Sequence, residues 1–237
     1  MESESICLEG VSMAYGPAGK AVKVLDGVNF QLNPGEVCVI SGRSGCGKTT
    51  LLHVLGGLLH PTGGAVRWQG RSPGELGAAV DRLRGETFGF IFQNPCLLAE
   101  LTALENVMMP WRSHGKGSFR AAKGRALELL EAVGLGDRGS ASCEDLSGGE
   151  KQRLAAARAA MVRPKFLLAD EPTGSLDSFA ERAVVELLCG LCDRCRSGLL
   201  VVSHGNAFNH MAHRRLVLDG GRLIDESRRS AADFGDA

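Results

Sequence analysis

Eight consecutive residues carry the densest chemical signal in this chain: Gly42-Arg43-Ser44-Gly45-Cys46-Gly47-Lys48-Thr49. They fit the pattern G-x-x-x-x-G-K-[ST]. Glycines let a backbone turn tightly enough for several N–H groups to converge on one phosphate. A helix opening at the end of the loop adds its positive N-terminal end. Lys48 can reach terminal phosphates, and the Thr49 hydroxyl, followed by Thr50, can ligate Mg²⁺. The flanks decide whether such a pattern means anything. Residues 36–40 read as a short buried strand and residues 50–55 as the start of an amphipathic helix. A strand–loop–helix setting is the one this chemistry needs.

Further positions could act on the same phosphate. Ser147-Gly148-Gly149-Glu150 opens a second helix with a capping-box signature. Two glycines in a first turn cost about 1 kcal/mol each relative to Ala. A plain cap does not need them, whereas bare N–H groups at a helix start suit an anion. Asp170 and Glu171 follow the apolar run 166–169, at the strand end where ligands gather in an open α/β sheet. Asp170 is placed to hold Mg²⁺, and Glu171 to polarise a water for attack on phosphorus. Gln93, after the apolar strand 88–92 and before Pro95, could face an ion or water. His204 ends the strand 199–203 and could contact a phosphate or bond a loop carbonyl; spacing leaves both open. Tyr15, the only tyrosine, is either a half-buried strand aromatic or a platform for a flat base.

The elements that must position these groups read as one α/β domain over residues 1–237. Residues 6–15 and 22–33 alternate apolar and polar positions, as antiparallel strands do. A turn at 60–64 leads to a strand at 65–69 and a helix over 73–84. Residues 102–112 and 118–133 are helical, and so is the stretch from 147 to about 162, ending before Pro164. Approximately 95–160 is therefore a helical subdomain set into the sheet system. A helix over 178–195 follows, then strands at 215–219 and 222–226 and a polar, frayed tail from Arg228.

Lys plus Arg and Asp plus Glu both number 27, so charge gives no support for nucleic-acid or anionic-membrane binding. No apolar run approaches the ~18–20 residues that span a bilayer, and the acidic N-terminus is unlike a secretory signal. The chain reads as cytoplasmic, with any membrane role coming through a partner. Eight cysteines are scattered. Cys189, Cys192 and Cys195 fall on one helical stripe and, with no fourth ligand nearby, read as small buried residues rather than a zinc site.

In this order, the motifs resemble the nucleotide-binding subunit of an ABC transporter over essentially the full length. Tyr15 matches the adenine-stacking aromatic, 42–49 the Walker A loop, Gln93 the Q-loop and 146–150 the signature. Residues 166–171 match Walker B with its catalytic Glu, 175–177 the D-loop, and His204 the switch histidine. The resemblance implies a P-loop NTPase core with a mixed sheet, an N-terminal antiparallel β subdomain and a helical signature subdomain. It also implies ATP and Mg²⁺ as cofactors, with Thr49, Gln93 and Asp170 at the metal and Glu171, Gln93 and His204 in catalysis. Two copies are expected head to tail, each ATP lying between one Walker A loop and the partner's 147–150. The helical subdomain, chiefly 94–130, is expected to pass closure to an integral-membrane permease on the inner membrane.

Residues 51–58, 101–110 and 168–177 are similar to the lipoprotein-releasing, macrolide-exporting and cell-division group. Two departures stand out: Gly205, where relatives usually carry Asp, and the polar segment 111–117 near the expected permease contact. An ABC protein acting on nucleic acid would usually carry two ABC domains or a long insertion, and neither is present. A non-hydrolysing coupling module is the other alternative, against which Glu171 and His204 weigh. Cys46, a thiol at a helix N-terminus, is expected to react with alkylating agents and to be protected by ATP.

Overall fold

The computed structural model describes residues 4–17, 20–114, 117–174 and 176–226. Residues 1–3, Ala18, Gly19, Gly115, Lys116, Ser175 and 227–237, which include the tail from Arg228, lie outside the described residues, as do the side chains of His114, Arg194 and Cys195. Strands β1 (Ile6–Tyr15), β2 (Val22–Leu32) and β4 (Gly63–Trp68) form an antiparallel sheet in the order β2-β1-β4. The second sheet runs β5-β6-β7-β3-β8-β9: β5 (Phe88–Ile91), β6 (Phe166–Asp170), β7 (Gly198–Val202), β3 (Val37–Ser41), β8 (Arg214–Asp219) and β9 (Arg222–Asp225). All its pairs are parallel except the β8–β9 hairpin.

Alternation along β3, β6 and β7 divides the interior in two, since successive side chains leave a strand on opposite faces. Cys38, Ile40, Leu168, Leu200 and Val202 face helix α1 (Lys48–Leu55) and the antiparallel sheet. Val37, Val39, Leu167, Ala169, Leu199 and Val201 face the remaining helices. Trp68 is wholly buried in the first half, and its Nε1–H donates to the Leu55 carbonyl at 2.8 Å. That bond occupies a carbonyl which the end of α1 leaves without a helical partner.

The second half holds α3 (Ala103–His114), α4 (Phe119–Ala132), α5 (Gly148–Ala160) and α6 (Ser178–Cys195). Helices α4 and α5 cap each other with arginines, cations placed where helix C-termini carry negative partial charge. Arg125 of α4 donates to the Ala160 and Met161 carbonyls at 2.7 and 2.8 Å, and Arg153 of α5 to the Val133 carbonyl at 2.9 Å. Cys189 and Cys192 are buried in this core, and burial pushes the Cys189 thiol up to about 11.

One expected helix comes out differently. Residues 73–84 form two short 3₁₀ turns, Pro73–Glu75 and Gly77–Ala79, and α2 starts only at Val80 and runs to Thr87. Gly77 has φ +52°, which an α-helix does not accommodate, so helical periodicity could not run through it.

Helix α5 begins with a complete capping box: the Ser147 hydroxyl accepts from the Glu150 N–H at 3.3 Å, and Glu150 Oε2 accepts from the Ser147 N–H at 2.9 Å. The Ser147 backbone bond, then its hydroxyl bond, hold the Glu150 carboxyl below its usual range. A lowered folded-state pKa contributes stability above the unfolded value, and that contribution is lost as pH falls through the folded one. Ser147→Ala should therefore cost about 1 kcal/mol in urea unfolding at neutral pH, with the gap from the parent shrinking in acid below the glutamate range.

Candidate nucleotide site

Three parallel strands deliver the reactive groups to one place. Ile40 pairs with Val202 and Val202 with Asp170, so the carboxyl ends of β3, β7 and β6 lie side by side. From β3 the chain enters the 42–47 loop, from β6 it reaches Asp170 and Glu171, and from β7 it reaches Ser203 and His204. These ends line a cleft of about 440 Å³, together with Tyr15, Ser44, Gly45, Gly47, Lys48, Thr49, Thr50 and Gln93.

The loop needs its glycines on steric grounds. Gly47 has φ +107°, and a Cβ there would stand 2.6 Å from Val24 Cγ1; Gly42 has φ +152°, and its Cβ would stand 2.6 Å from the Leu218 carbonyl oxygen. Lys48 is only 6% exposed, and its ammonium donates to the Gly42 and Arg43 carbonyls at 2.8 and 3.2 Å. No carboxylate forms an ion pair with it among the described residues. A buried cation satisfied by neutral oxygens alone is short of counter-charge, which a polyphosphate supplies.

Asp170 is 3% exposed and bonded to the Thr49 hydroxyl. Burial, more than the adjacent Glu171 charge, raises its pKa, while the Thr49 bond opposes the rise. Glu171 is 8% exposed and sits at φ +47°, a strained setting for a residue with a side chain, with its N–H bonded to the Val202 carbonyl at 2.9 Å. Its Oε2 accepts from the Ser203 hydroxyl at 2.8 Å, and the His204 N–H lies 3.4 Å away. Its Oε1 lies 3.0 Å from His204 Nδ1 but off the line of a hydrogen bond, and is buried without a hydrogen-bond partner. The His204 ring itself is largely exposed at the rim. Tyr15 is 44% exposed at the end of β1, its hydroxyl 3.4 Å from Thr50 Oγ1.

Not all of the expected site residues line this cleft, and those of 147–150 are expected at a partner's nucleotide instead. The Arg43 and Cys46 side chains do not line the cleft: Cys46 packs against the core beneath the loop, and the Cys46 N–H is bonded to the Arg43 carbonyl at 3.3 Å. Ser147, Gly148, Gly149 and Glu150 do not line it either, and the Glu150 carboxylate is held by the cap and by Arg138, 3.4 Å from Oε1. Gly205 leaves the loop unperturbed: its N–H donates to Ser203 Oγ at 3.0 Å, and a Cβ there would make only ordinary contact with that oxygen at 3.5 Å.

Two residues of α5 escaped the sequence reading. The Gln152 amide donates to the Phe92 carbonyl at 3.2 Å, and the Arg158 guanidinium to the Pro95 and Cys96 carbonyls at 2.7 Å each. The segment carrying Gln93 is thus held on both sides by the helix that starts at Gly148. Burial holds the Arg158 guanidinium below its usual pKa. Spacing shows no partner for either residue, because the acceptors are main-chain atoms of a distant segment.

The family model for ABC transporters matches residues 25–174. This chain belongs to the ABC transporter family. Among relatives, the lipoprotein-releasing system ATP-binding protein LolD 1 of Rhodopirellula baltica is 41% identical over 92% of this chain and 95% of its own length. The LolD protein of Xanthomonas euvesicatoria pv. vesicatoria is 43% identical over 91% of this chain and 88% of its own. The ATP-binding cassette MJ0796, solved as a dimer in a post-hydrolysis state with ADP and Pi, superposes with a TM-score of 0.87 at 33% identity, covering 95% of this chain and 99% of that one. The chain is thus an ABC-type ATPase cassette. No described helix of the cassette is long and apolar enough to cross a membrane.

Replacing Lys48 by Ala removes the one buried cation of the cleft. Nucleotide titration should show ATP affinity reduced by a factor of about 10 or more, as expected for losing a charge-assisted bond; unchanged affinity would remove Lys48 from the phosphate site.

Proposed function

We propose that this cassette hydrolyses ATP to drive a separate lipoprotein-releasing permease, as a head-to-tail dimer held to the cytoplasmic face of the inner membrane by that permease. The observation that carries the reading is a division within the chain. The cleft gathers the loop, Asp170, Glu171, Gln93 and His204, while the second anion-receptive helix start, at 147–150, lies outside it. A second copy, turned head to tail, would bring its own Ser147, Gly148 and Gly149 N–H groups to the open side. The dimeric MJ0796 cassettes and the LolD relatives support this arrangement and the substrate class.

Within the cleft each residue has a task its chemistry fits. Tyr15 offers a ring face to the base. The loop N–H groups and Lys48 take the phosphates, and Lys48 exchanges carbonyl bonds for charge neutralisation. The Thr49 hydroxyl, Asp170 carboxylate and Gln93 amide oxygen are hard donors of the kind Mg²⁺ takes, and the Thr49–Asp170 bond already places two of them together. Bound there, Mg²⁺ would offset the charge of the phosphate oxygens. Glu171, with one buried oxygen left unpartnered, takes the proton of the attacking water. His204, at the exposed rim, faces the side the partner closes. ATP binds the closed dimer better than the open one and shifts the population toward it; hydrolysis removes that preference.

The permease contact falls on the helical side. A groove of about 820 Å³ lies between Glu86 of α2, Trp111 of α3, Ala122 and Arg125 of α4, and Met161. Beside it, Phe119 meets the Trp111 ring edge to face, with centroids 6.0 Å apart. Trp111, the first residue of the stretch that reads as polar by sequence, thus contributes an aromatic wall to this groove.

Glu171→Gln should lower turnover by at least about 100-fold while the variant still dimerises with ATP, measured by phosphate release and by light scattering. Near-parental hydrolysis would refute the base assignment. Affinity capture from detergent-solubilised inner membrane should bring down a permease; recovery with RNA or ribosomes instead would overturn the transport reading.

A further inference from the structure

Ser203 stands next to the chemistry without touching the cleft. It is 4% exposed at the end of β7, its N–H tied to the Ile40 carbonyl at 3.1 Å, and it does not line the nucleotide site. Its hydroxyl sits between two groups: it accepts from the Gly205 N–H at 3.0 Å and donates to Glu171 Oε2 at 2.8 Å. A hydroxyl has one proton and otherwise rotates freely. With the Gly205 N–H directed at its oxygen, that proton is left to point at the carboxylate. Backbone thus fixes the hydroxyl, and the hydroxyl fixes the carboxylate.

The geometry points to Ser203 as a positioning residue for Glu171, one that occupies Oε2 and thereby makes Oε1 the oxygen that receives the proton of water. In that step the water oxygen bonds the γ-phosphorus, its proton passes to Oε1, and the bond from phosphorus to the β–γ bridging oxygen breaks, leaving the electron pair on ADP. Oε2 accepts from both the Ser203 hydroxyl and the His204 N–H, whereas Oε1 has no hydrogen-bond partner, so the lone pairs left to take a proton are on Oε1. Glu171 is also the residue that most needs such a hold. It sits at φ +47°, and its ring neighbour His204 approaches Oε1 without bonding it. A carboxylate free to rotate would present either oxygen, at either angle. The link works through the backbone N–H of residue 205, which is present whatever the side chain there.

The inference rests on Glu171 being the base, and the test separates the two. Ser203→Thr keeps the hydroxyl, and Ser203→Val replaces it with a methyl at nearly the same shape, so any penalty of bulk is shared. Steady-state hydrolysis of the full chain should give Thr a kcat within about threefold of the parent and Val a kcat about 10- to 100-fold lower, the scale of a misplaced catalytic group. The KM for ATP should stay within about twofold for both, because Ser203 does not line the site. In a Glu171→Gln background the Thr and Val variants should be indistinguishable. Equal kcat for Thr and Val, or a loss appearing in KM instead, overturns the role of Ser203 while leaving Glu171→Gln to judge the base. Active Glu171→Gln overturns both. Should Thr and Val both fail to fold, Ser203→Ala against the parent makes the same comparison, with an unchanged kcat overturning the inference.

Discussion

The cleft depends on the parallel pairing of three five-residue strands, β3, β6 and β7. Their registers bring Ile40, Val202 and Asp170 level. Every residue beyond those points leaves the sheet at the same edge. A one-residue slip would exchange the two faces of a strand, and with it the alternation that sorts Ile40, Leu168 and Leu200 from Val39, Leu167 and Val201. The two hydrophobic halves therefore lock the register, and the register sets the chemistry. Burial on both faces of these strands is what fixes the position of the carboxylates at their ends.

Much of this arrangement is legible in residue order. The 42–49 loop announces itself because phosphate binding needs specific residues at fixed spacing, and short runs such as 166–170 are apolar enough to read as buried strands. The second helix start is legible for the same reason, since Ser147 and Glu150 form their box within one turn. What spacing misses is long-range. The hydroxyl of Ser203 reaching Glu171 across 32 residues, or Arg158 reaching Pro95 across 63, leaves no local trace. The irregular 73–79 stretch shows the opposite: Pro73 suits a first helical position and Ala78 and Ala79 favour helix, yet Gly77 at φ +52° breaks it into 3₁₀ turns.

On the helical side, Arg125, Arg153 and Arg158 meet carbonyls rather than carboxylates. Arg125 and Arg153 tie α4 and α5 end to end in opposite senses, so neither helix can slide along the other without giving up a charge-assisted bond. The groove beside them inherits that stiffness. A load applied at Trp111 or Phe119 meets a braced pair of helices, not two independent ones.

Arg158 and Gln152 extend the same device to the loop that carries Gln93, and they grip it only by the carbonyls of Phe92, Pro95 and Cys96. A carbonyl is present whatever the side chain. The anchorage is thus indifferent to the side chains of the residues it holds. Evolution is left free to retune what this surface shows to its neighbours, one lineage at a time, while the scaffold beneath stays put.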